Sequence, residues 1–226
     1  MKSKEELHDE HVFTPIRLDT RLPINELLSH RWSPRAFSNR AIEPENLISL
    51  FEAARWSPSS ANEQPWRFIV AAKEDKTVFN ALMDSLTDGN KRWAQHAPLL
   101  VLGLAPSTYQ QSGKPYRHSL YDLGQSVAHL TVQASSVGLA VHQMGGFDPE
   151  KLRMSLSIPG GFEPVIVLAI GYPEQPDSLP EDLRHREQMP RVRKPLESLV
   201  FTDSWGVPSH HVDSKVSLFN TLPSTN

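Results

Sequence analysis

The chain has 226 residues, of which 38% are hydrophobic and 22% are charged, a composition typical of a globular protein with a sizeable core. It contains no cysteine, which excludes disulfides, thiolate catalysis and cysteine-ligated metal centres. The net charge of −3 argues against nucleic-acid binding, and no apolar run approaches the ~20 residues that span a membrane. Since the N-terminus also lacks a signal-peptide pattern, we expect a cytoplasmic protein.

The first half of the chain predicts three helices and two strands behind an N-terminal arm. Residues 1–22 are polar and almost without pattern, so we expect a loose arm there. Leu47, Leu50 and Ala54 recur at helical spacing, which predicts a helix with one buried face. The predicted elements are helices at about 23–30, 42–54 and 75–86 and strands at 66–72 and 99–104, with a polar link at 88–93.

The second half predicts a long central helix and one more buried strand. The predicted elements are helices at about 118–137 and 150–156, a strand at 165–171 and a Pro-rich connector at 172–190. Residues 106–117 are turn-rich, and a plain surface loop is favoured there over a mobile lid. The tail, residues 201–226, carries hydrophobic anchors among polar residues, which suggests that it wraps a neighbouring surface.

A polar loop joins the second helix to the first strand. Between two prolines, Pro58 and Pro65, it carries four side chains able to bond a polar ligand: Ser59, Ser60, Asn62 and Gln64. The prolines restrict the backbone, so the polar groups are presented in a stiff loop. From these residues alone, an ordinary helix-to-strand connection and a ligand-binding loop remain equally open.

Two short basic runs have the chemistry to bind an anion. Arg31 and Arg35 bracket Ser33, and Arg191 and Arg193 stand two residues apart, which places them on one side of an extended segment. Guanidinium groups match the geometry of phosphate oxygens. Taken singly, however, each run is better explained as surface charge.

Paired glycines form the third candidate feature. Gly145 and Gly146 follow Gln143 and Met144, and glycines let a flat ligand approach backbone amides closely. A Gly-Gly turn before a helix is common, so the signal is weak alone. There is no dinucleotide fingerprint, phosphate loop or serine-hydrolase elbow. The adjacent histidines at 210–211 favour a solvated segment over a metal site.

Taken together and in order, four segments resemble the nitroreductase family of FMN enzymes: residues 31–35, 58–66, 138–147 and 191–197. The second is the most specific, and the resemblance covers roughly residues 23–205. It implies an α+β nitroreductase-like sandwich with a central mixed β-sheet flanked by helices, in an intertwined homodimer with FMN sites at the subunit interface. Residues 23–200 would form the single FMN-binding domain, and residues 201–226 an extension that wraps the partner subunit.

The resemblance also implies which residues bind FMN. Those expected near the phosphate, the ribityl chain or, for Arg35, the N1/O2 edge of the isoalloxazine are Arg31, Trp32, Ser33, Arg35, Arg191 and Arg193. Those expected from the partner subunit are Pro58, Ser59, Ser60 and Asn62, with Gln64 in support. Those expected along the ring face, with the Gly145 amide near N5, are Gln143, Met144, Gly145 and Gly146.

The implied activity is that of an oxidoreductase. NADH or NADPH would reduce the flavin at N5, and a nitroaromatic, quinone or similar electron-poor molecule would then be reduced in a ping-pong mechanism. No side-chain acid or base is required, so we name no catalytic residue and no metal ligand. The alternatives are a specialised flavin enzyme (dehalogenation, flavin fragmentation or small-molecule dehydrogenation), a flavin-binding sensor or storage protein without turnover, and a binding protein without flavin.

Overall fold

The computed structural model describes Thr20 and residues 22–212 of the chain. Nearly all of the predicted N-terminal arm, and the tail beyond Val212, lie outside the described residues. The chain divides into two compact units, Met1–Met189 and Pro190–Asn226. The predicted division into an arm, a domain of residues 23–200 and an extension stays a prediction.

Helices and strands alternate irregularly through the first unit. The helices are α1 (Glu26–His30), α2 (Pro44–Arg55), α3 (Lys76–Ser85), α4 (Asp88–Ala94), α5 (Ser119–Ser136), α6 (Pro149–Ser155) and α7 (Glu181–Glu187). The strands are β1 (Arg67–Ala72), β2 (Leu99–Pro106), β3 (Ala140–Met144) and β4 (Phe162–Gly171). Every helix and strand that hydrophobic periodicity predicted is present, with its ends shifted by a few residues. Within the described ranges, no helix combines the length and apolarity needed to cross a bilayer.

Local sequence explains where two of these helices begin. Pro44 occupies the first turn of α2, where the N–H that proline lacks would have no intrahelical partner. The Asp148 side chain caps α6 by accepting a hydrogen bond from the Lys151 N–H at 3.0 Å. Helix α2 then buries Leu50 and Ala54, the face that their spacing predicted.

The four strands form one sheet in the order β1-β2-β4-β3. A mixed sheet was expected, but every pairing among these strands is antiparallel. The position of β4 explains the difference. Strands β2 and β3, joined through α5, run parallel to each other, yet β4 lies between them and is antiparallel to both. Strand β2 is buried along nearly its whole length, as an interior strand should be.

Helices cover both faces of the sheet, which confirms the α+β sandwich. Successive residues of β2 point to opposite faces. Leu100 therefore belongs to one apolar core with Trp93 of α4, whereas Val101 belongs to a second core with Leu130 of α5. Full burial of a side chain of this size stabilises the fold by ~1.5–3 kcal/mol relative to exposure. Because both faces of the sheet pack in an apolar core, the ends of its strands are held in place. The polar loops extend from these ends.

Three elements of the first unit were not predicted. The prediction of a polar link at 88–93 is wrong, because these residues belong to α4, and the connector at 172–190 contains α7. Short helices gain little stability from their own sequence and depend on tertiary contacts. Here Arg92 of α4 donates to both carboxylate oxygens of Asp182 of α7, at 2.7 Å each. Strand β3 was not predicted because polar side chains interrupt its apolar pattern.

The second unit has little regular structure in its described residues, 190–212. Leu196–Ser198 forms one 3-10 turn, and Phe201 pairs with Pro208 in an isolated β-bridge. The Phe201 and Trp205 ring centroids are 5.1 Å apart, while Trp205 is 91% exposed. A tail that wraps a partner subunit would cover such an aromatic side chain. That role for the tail stays a prediction.

Candidate functional site

The first predicted segment, residues 31–35, lies against β3. His142 Nδ1 and the Pro34 carbonyl oxygen are 2.8 Å apart. Because a carbonyl can only accept, Nδ1 carries the proton and donates it. The imidazole packs against the Trp93 ring at a tilt of 39°, with centroids 4.3 Å apart. Burial lowers the pKa of His142 to about 4, against the opposing effect of the bond to Pro34. His142 is therefore a neutral link between the first and third predicted segments.

Glu187 of α7 fixes the C-terminal end of the first segment. Its side chain is 1% exposed, and one oxygen accepts the backbone N–H groups of Arg35 and Ala36 at 2.6 and 3.2 Å. The other oxygen accepts from Arg35 Nη1 at 3.4 Å. At the other end of the segment, Arg31 Nη1 donates to Ser33 Oγ at 3.3 Å. The segment thus presents two guanidinium groups and a hydroxyl from an anchored backbone.

The two glycines after β3 differ in what surrounds them. A Cβ added to Gly145 would meet no atom within 4 Å, so the backbone there faces open space. A Cβ added to Gly146 would lie 3.0 Å from Thr87 Oγ1. The Gly146 carbonyl also accepts from the Thr87 N–H at 3.0 Å and from Asn90 Nδ2 at 3.1 Å. Gly146 is therefore required by packing, and Gly145 is the point where a ligand can approach the backbone.

The second segment, residues 58–64, is a tight loop under backbone strain. Ala61, Asn62 and Gln64 have φ values of 53°, 56° and 49°, in the left-handed region that disfavours side chains by about 1–2 kcal/mol per residue. Hydrogen bonds hold this shape: the Gln64 N–H donates to Ser59 Oγ at 2.9 Å, and Gln64 Nε2 donates to Asn62 Oδ1 at 3.2 Å. Strain of this kind is often retained at binding sites.

A buried carboxylate on α5 anchors this loop. Asp122 is 2% exposed and accepts the Ser60 N–H at 3.1 Å and the Tyr116 hydroxyl at 2.8 Å. Tyr116 stacks on Tyr109, with centroids 4.0 Å apart. Burial first, and the bond to Asp122 second, raise the pKa of Tyr116 well above its usual value. The stretch 106–117 is therefore tied to the loop through Tyr116 rather than running freely over the surface.

Two cavities adjoin the anchored loop. One of about 270 Å³ is lined by Ser59 and Ser60 and by the start of α5. The other, of about 190 Å³, lies between Glu63, Arg67 and the turn that precedes β4. The polar side chains of the loop therefore border open space, as a ligand-binding loop requires.

The sheet keeps the predicted segments apart within one chain. Residues 58–66 lead into β1 and residues 138–147 contain β3, and these strands occupy opposite edges of the sheet. Three strand spacings of ~4.8 Å place about 14 Å between them. One chain thus joins the first and third segments through His142 and Pro34 and holds the second on the far strand.

The other predicted residues differ in exposure. Trp32 is half-buried and Gln143 is exposed. Met144 is 2% exposed and belongs to the apolar core, so Gln143 is the member of this pair with an accessible side chain. Arg191 and Arg193 belong to the second unit, where Arg193 is exposed and its Nη1 donates to the Val192 carbonyl at 3.0 Å. Among the described residues, no three His, Cys, Asp or Glu side chains are grouped to hold a metal ion.

Sequence reasoning missed Glu187, Asp122 and His142. Their partners lie far along the chain, so no local spacing marks them. A signal existed only for Asp122, which precedes Leu123 in the apolar stripe of α5. A carboxylate at the border of such a stripe is buried only if it is paired.

Three features define the class of α+β protein to which this chain belongs. They are an antiparallel sheet covered by helices, a basic segment at one edge of the sheet and a strained polar loop at the other. The profile of the Nitroreductase family matches residues 28–172, which is more than half of the chain. The chain therefore belongs to the nitroreductase family, and the resemblance is confirmed. The match includes all four strands and ends before α7.

Similar proteins support the same fold. A solved oxidoreductase containing FMN shares 33% identity over 83% of this chain and 96% of its own, with a TM-score of 0.77. A nitroreductase family protein from Clostridium difficile 630 shares 28% identity over 81% of this chain and 99% of its own, with a TM-score of 0.63. An iodotyrosine deiodinase from Haliscomenobacter hydrossis is 24% identical over 188 residues, 72% of this chain and 84% of that protein.

Proposed function

We propose that this protein is a cytoplasmic, FMN-dependent oxidoreductase that uses NADH or NADPH to reduce nitroaromatics, quinones or similar electron-poor small molecules. The observation that carries the proposal is the basic segment with Arg31, Ser33 and Arg35, tied by His142 to the strand that ends at the open Gly145 backbone. Membership of the nitroreductase family supports it. So does the FMN in a solved relative that shares 33% identity.

The donor groups in the first unit fit the chemistry of FMN. A phosphate of about −2 charge needs fixed cations and hydroxyl donors, and Arg31 and Ser33 provide one of each, 3.3 Å apart. A flat ring needs a place where backbone is not shielded by a side chain, which Gly145 provides. We assign Arg191 and Arg193 to the phosphate as well, as the resemblance to the family implies.

Bound FMN would supply the two-electron chemistry at N5, oxidising NAD(P)H to NAD(P)⁺ and passing two electrons, with protons drawn partly from solvent, to the acceptor. The chain's own residues bind and orient. Arg31 and Ser33 hold the phosphate end, and neutral His142 keeps their segment on β3. Arg35 would supply a fixed positive charge beside the ring, which would favour its reduction. Gln143 adds an exposed amide along the ring face.

The second half of the site comes, we propose, from a second copy of the chain. In the proposed homodimer, each subunit completes the FMN site of the other. The residues it contributes are Pro58, Ser59, Ser60 and Asn62, with Gln64 in support. The reason is the separation of β1 and β3 on opposite sheet edges. Light scattering after gel filtration should give twice the 25.4 kDa chain mass. A monomer fully loaded with FMN would contradict the shared site.

The test of the activity is the visible spectrum of the purified protein, followed without oxygen. Flavin absorption should appear, bleach on addition of NADH or NADPH, and return when menadione or a nitroaromatic is added. The donor that bleaches it faster is the preferred one. A protein that takes up no flavin after reconstitution, or whose flavin stays oxidised with both donors, would contradict the proposed reaction.

A second candidate is a specialised reaction such as reductive dehalogenation. Two observations favour it: the similarity to an iodotyrosine deiodinase, and Tyr116, which lines one cavity beside the second segment and stacks on Tyr109. Protein reduced with dithionite should then release iodide from iodotyrosine faster than it reduces menadione. Equal or slower release would leave the general reductase as the function.

A further inference from the structure

Glu187 is a buried carboxylate that contacts the basic segment of the candidate site, residues 31–35. It lies beyond residues 28–172, the part of the chain that the family profile matches. Its side chain is 1% exposed, whereas that of its partner Arg35 is 26% exposed. One oxygen accepts two backbone N–H groups and the other accepts from the Arg35 guanidinium at 3.4 Å. Among the described residues, the side-chain hydrogen bonds of Glu187 thus go to the residue we place beside the isoalloxazine and to its neighbour.

A second ion pair on the same helix shows why burial matters. Asp182 also contacts an arginine, Arg92, but these side chains are 53% and 47% exposed. Water and salt screen such an exposed pair, so its charges act weakly at a distance. The Glu187 charge has no such screening and acts on Arg35 at short range. Of the two acids, Glu187 is the one able to set the electrostatics of the site.

We propose that Glu187 is a positioning residue that aims the Arg35 guanidinium at bound FMN and partly offsets its charge, which holds the reduction potential of the flavin below the value that an unopposed Arg35 would give. The inference rests on the proposed function, because it requires FMN beside Arg35. It gives α7 a role in tuning the cofactor, although this helix lies outside the four segments that resemble the family.

The Glu187 charge should shift the reduction potential of bound FMN in a definite direction. A cation near the ring stabilises the reduced, anionic flavin more than the oxidised one, which raises the potential. A buried negative charge at 3.4 Å from that cation opposes the effect. Removal of the Glu187 charge alone should therefore raise the potential. Removal of Arg35 should lower it.

The first variant is Glu187→Gln, because the Gln oxygen can still accept from the two backbone N–H groups while the charge is lost. The midpoint potential of bound FMN is measured by equilibrium reduction against a dye of known potential. We expect the affinity for reduced FMN relative to oxidised FMN to rise about tenfold, which for two electrons is about +30 mV. A merely structural role for Glu187 would leave this ratio unchanged.

The matched control is Glu181→Gln, the same substitution at an exposed position of the same helix. It should keep the wild-type potential. Arg35→Gln, which keeps Glu187 and removes the guanidinium, is the second measurement, and it should lower the potential even if the first variant does not fold. A wild-type potential in Glu187→Gln, an equal shift in Glu181→Gln, or no decrease in Arg35→Gln would overturn the inference while flavin binding stands. A wild-type protein that takes up no flavin would instead overturn the proposed function and this inference with it.

Discussion

The two edges of the sheet carry polar segments that are anchored in the same way but differ in charge. At the β3 edge, residues 31–35 present two guanidinium groups and are fixed by the buried carboxylate of Glu187. At the β1 edge, residues 58–64 present hydroxyl and amide groups and are fixed by the buried carboxylate of Asp122. In both cases an acid from a helix accepts backbone N–H groups of the segment: two at Glu187 and one at Asp122.

The difference lies in what else each carboxylate contacts. Glu187 faces the Arg35 guanidinium, whereas Asp122 accepts a bond from the Tyr116 hydroxyl. A carboxylate beside a cation changes the charge that a ligand meets, and one beside a phenol mainly fixes shape. From this difference we expect that substitutions at the β1 edge change stability at any pH, and that those at the β3 edge change cofactor binding or the pH dependence of stability.

The largest effect is expected for Asp122→Ala. It removes the acceptor of the half-buried Ser60 N–H and of the buried Tyr116 hydroxyl, and each such group costs about 1–3 kcal/mol. The free energy of unfolding, measured with urea, should fall by about 2–6 kcal/mol. Asp122→Asn keeps one acceptor oxygen and should lose less than half of that. Equal losses in the two variants would show that volume, not hydrogen bonding, anchors the loop.

The next effect is the pH dependence that His142 gives the β3 edge. Burial lowers its pKa from 6.5 to about 4, so between these values the unfolded chain binds a proton that the folded chain does not. Above pH 6.5, His142 therefore does not lower the free energy of unfolding. Its destabilising effect grows as pH falls and levels off below about 4, at about 3 kcal/mol in all. Urea unfolding of His142→Asn should show a flatter profile over this range.

The control for that profile is His129→Asn. His129 is exposed on α5, so its substitution should leave the wild-type pH dependence in place. Parallel profiles for wild type and His142→Asn would mean that His142 does not carry this loss of stability and that the neutral link between Pro34 and β3 is misassigned.

The fold was largely predictable because its main elements are encoded by periodicity. Strand β2, a continuous apolar run, and α5, with its apolar stripe, were predicted from spacing alone, and each belongs to a core that the structure confirms. Helices α4 and α7 were missed, because the contact between Arg92 and Asp182 that joins them spans 90 residues and leaves no local pattern. The antiparallel sheet was missed for the same reason, because the position of β4 between β2 and β3 depends on contacts between residues far apart in sequence.

The residues of the candidate site also divide into those that could be predicted from the sequence and those that could not. Residues such as Ser59 and Arg31 could be proposed because several side chains able to bind a polar ligand stand close together in sequence. Glu187 and Asp122 could not, because each is a single acid whose partners lie on a distant element. The sequence also does not distinguish Gly145 from Gly146, although packing against Thr87 makes only one of them open to a ligand.

Arg193→Ala tests the proposed cationic half of the FMN site. A hydrogen bond to a charged group contributes about 1.5–3 kcal/mol, so loss of one phosphate contact should weaken FMN binding by about 10- to 150-fold. The dissociation constant is measured from the change in flavin fluorescence. Lys194→Ala is the matched control, because in an extended segment Lys194 points away from the side that Arg193 occupies. Equal weakening in both variants would replace a specific contact with general charge attraction.

The smallest effect is expected for Tyr116→Phe at the β1 edge. It removes the bond to Asp122, which still accepts the Ser60 N–H, so unfolding should become easier by only about 1 kcal/mol. Tyr109→Phe keeps the same aromatic stack and loses only a hydroxyl 3.5 Å from Ser60 Oγ, a distance too long for a strong bond. Its stability should match that of wild type. If Tyr116→Phe also matched wild type, ring packing, which both substitutions keep, would join residues 106–117 to the loop instead of the carboxylate, and the parallel between the two edges would fail at Tyr116.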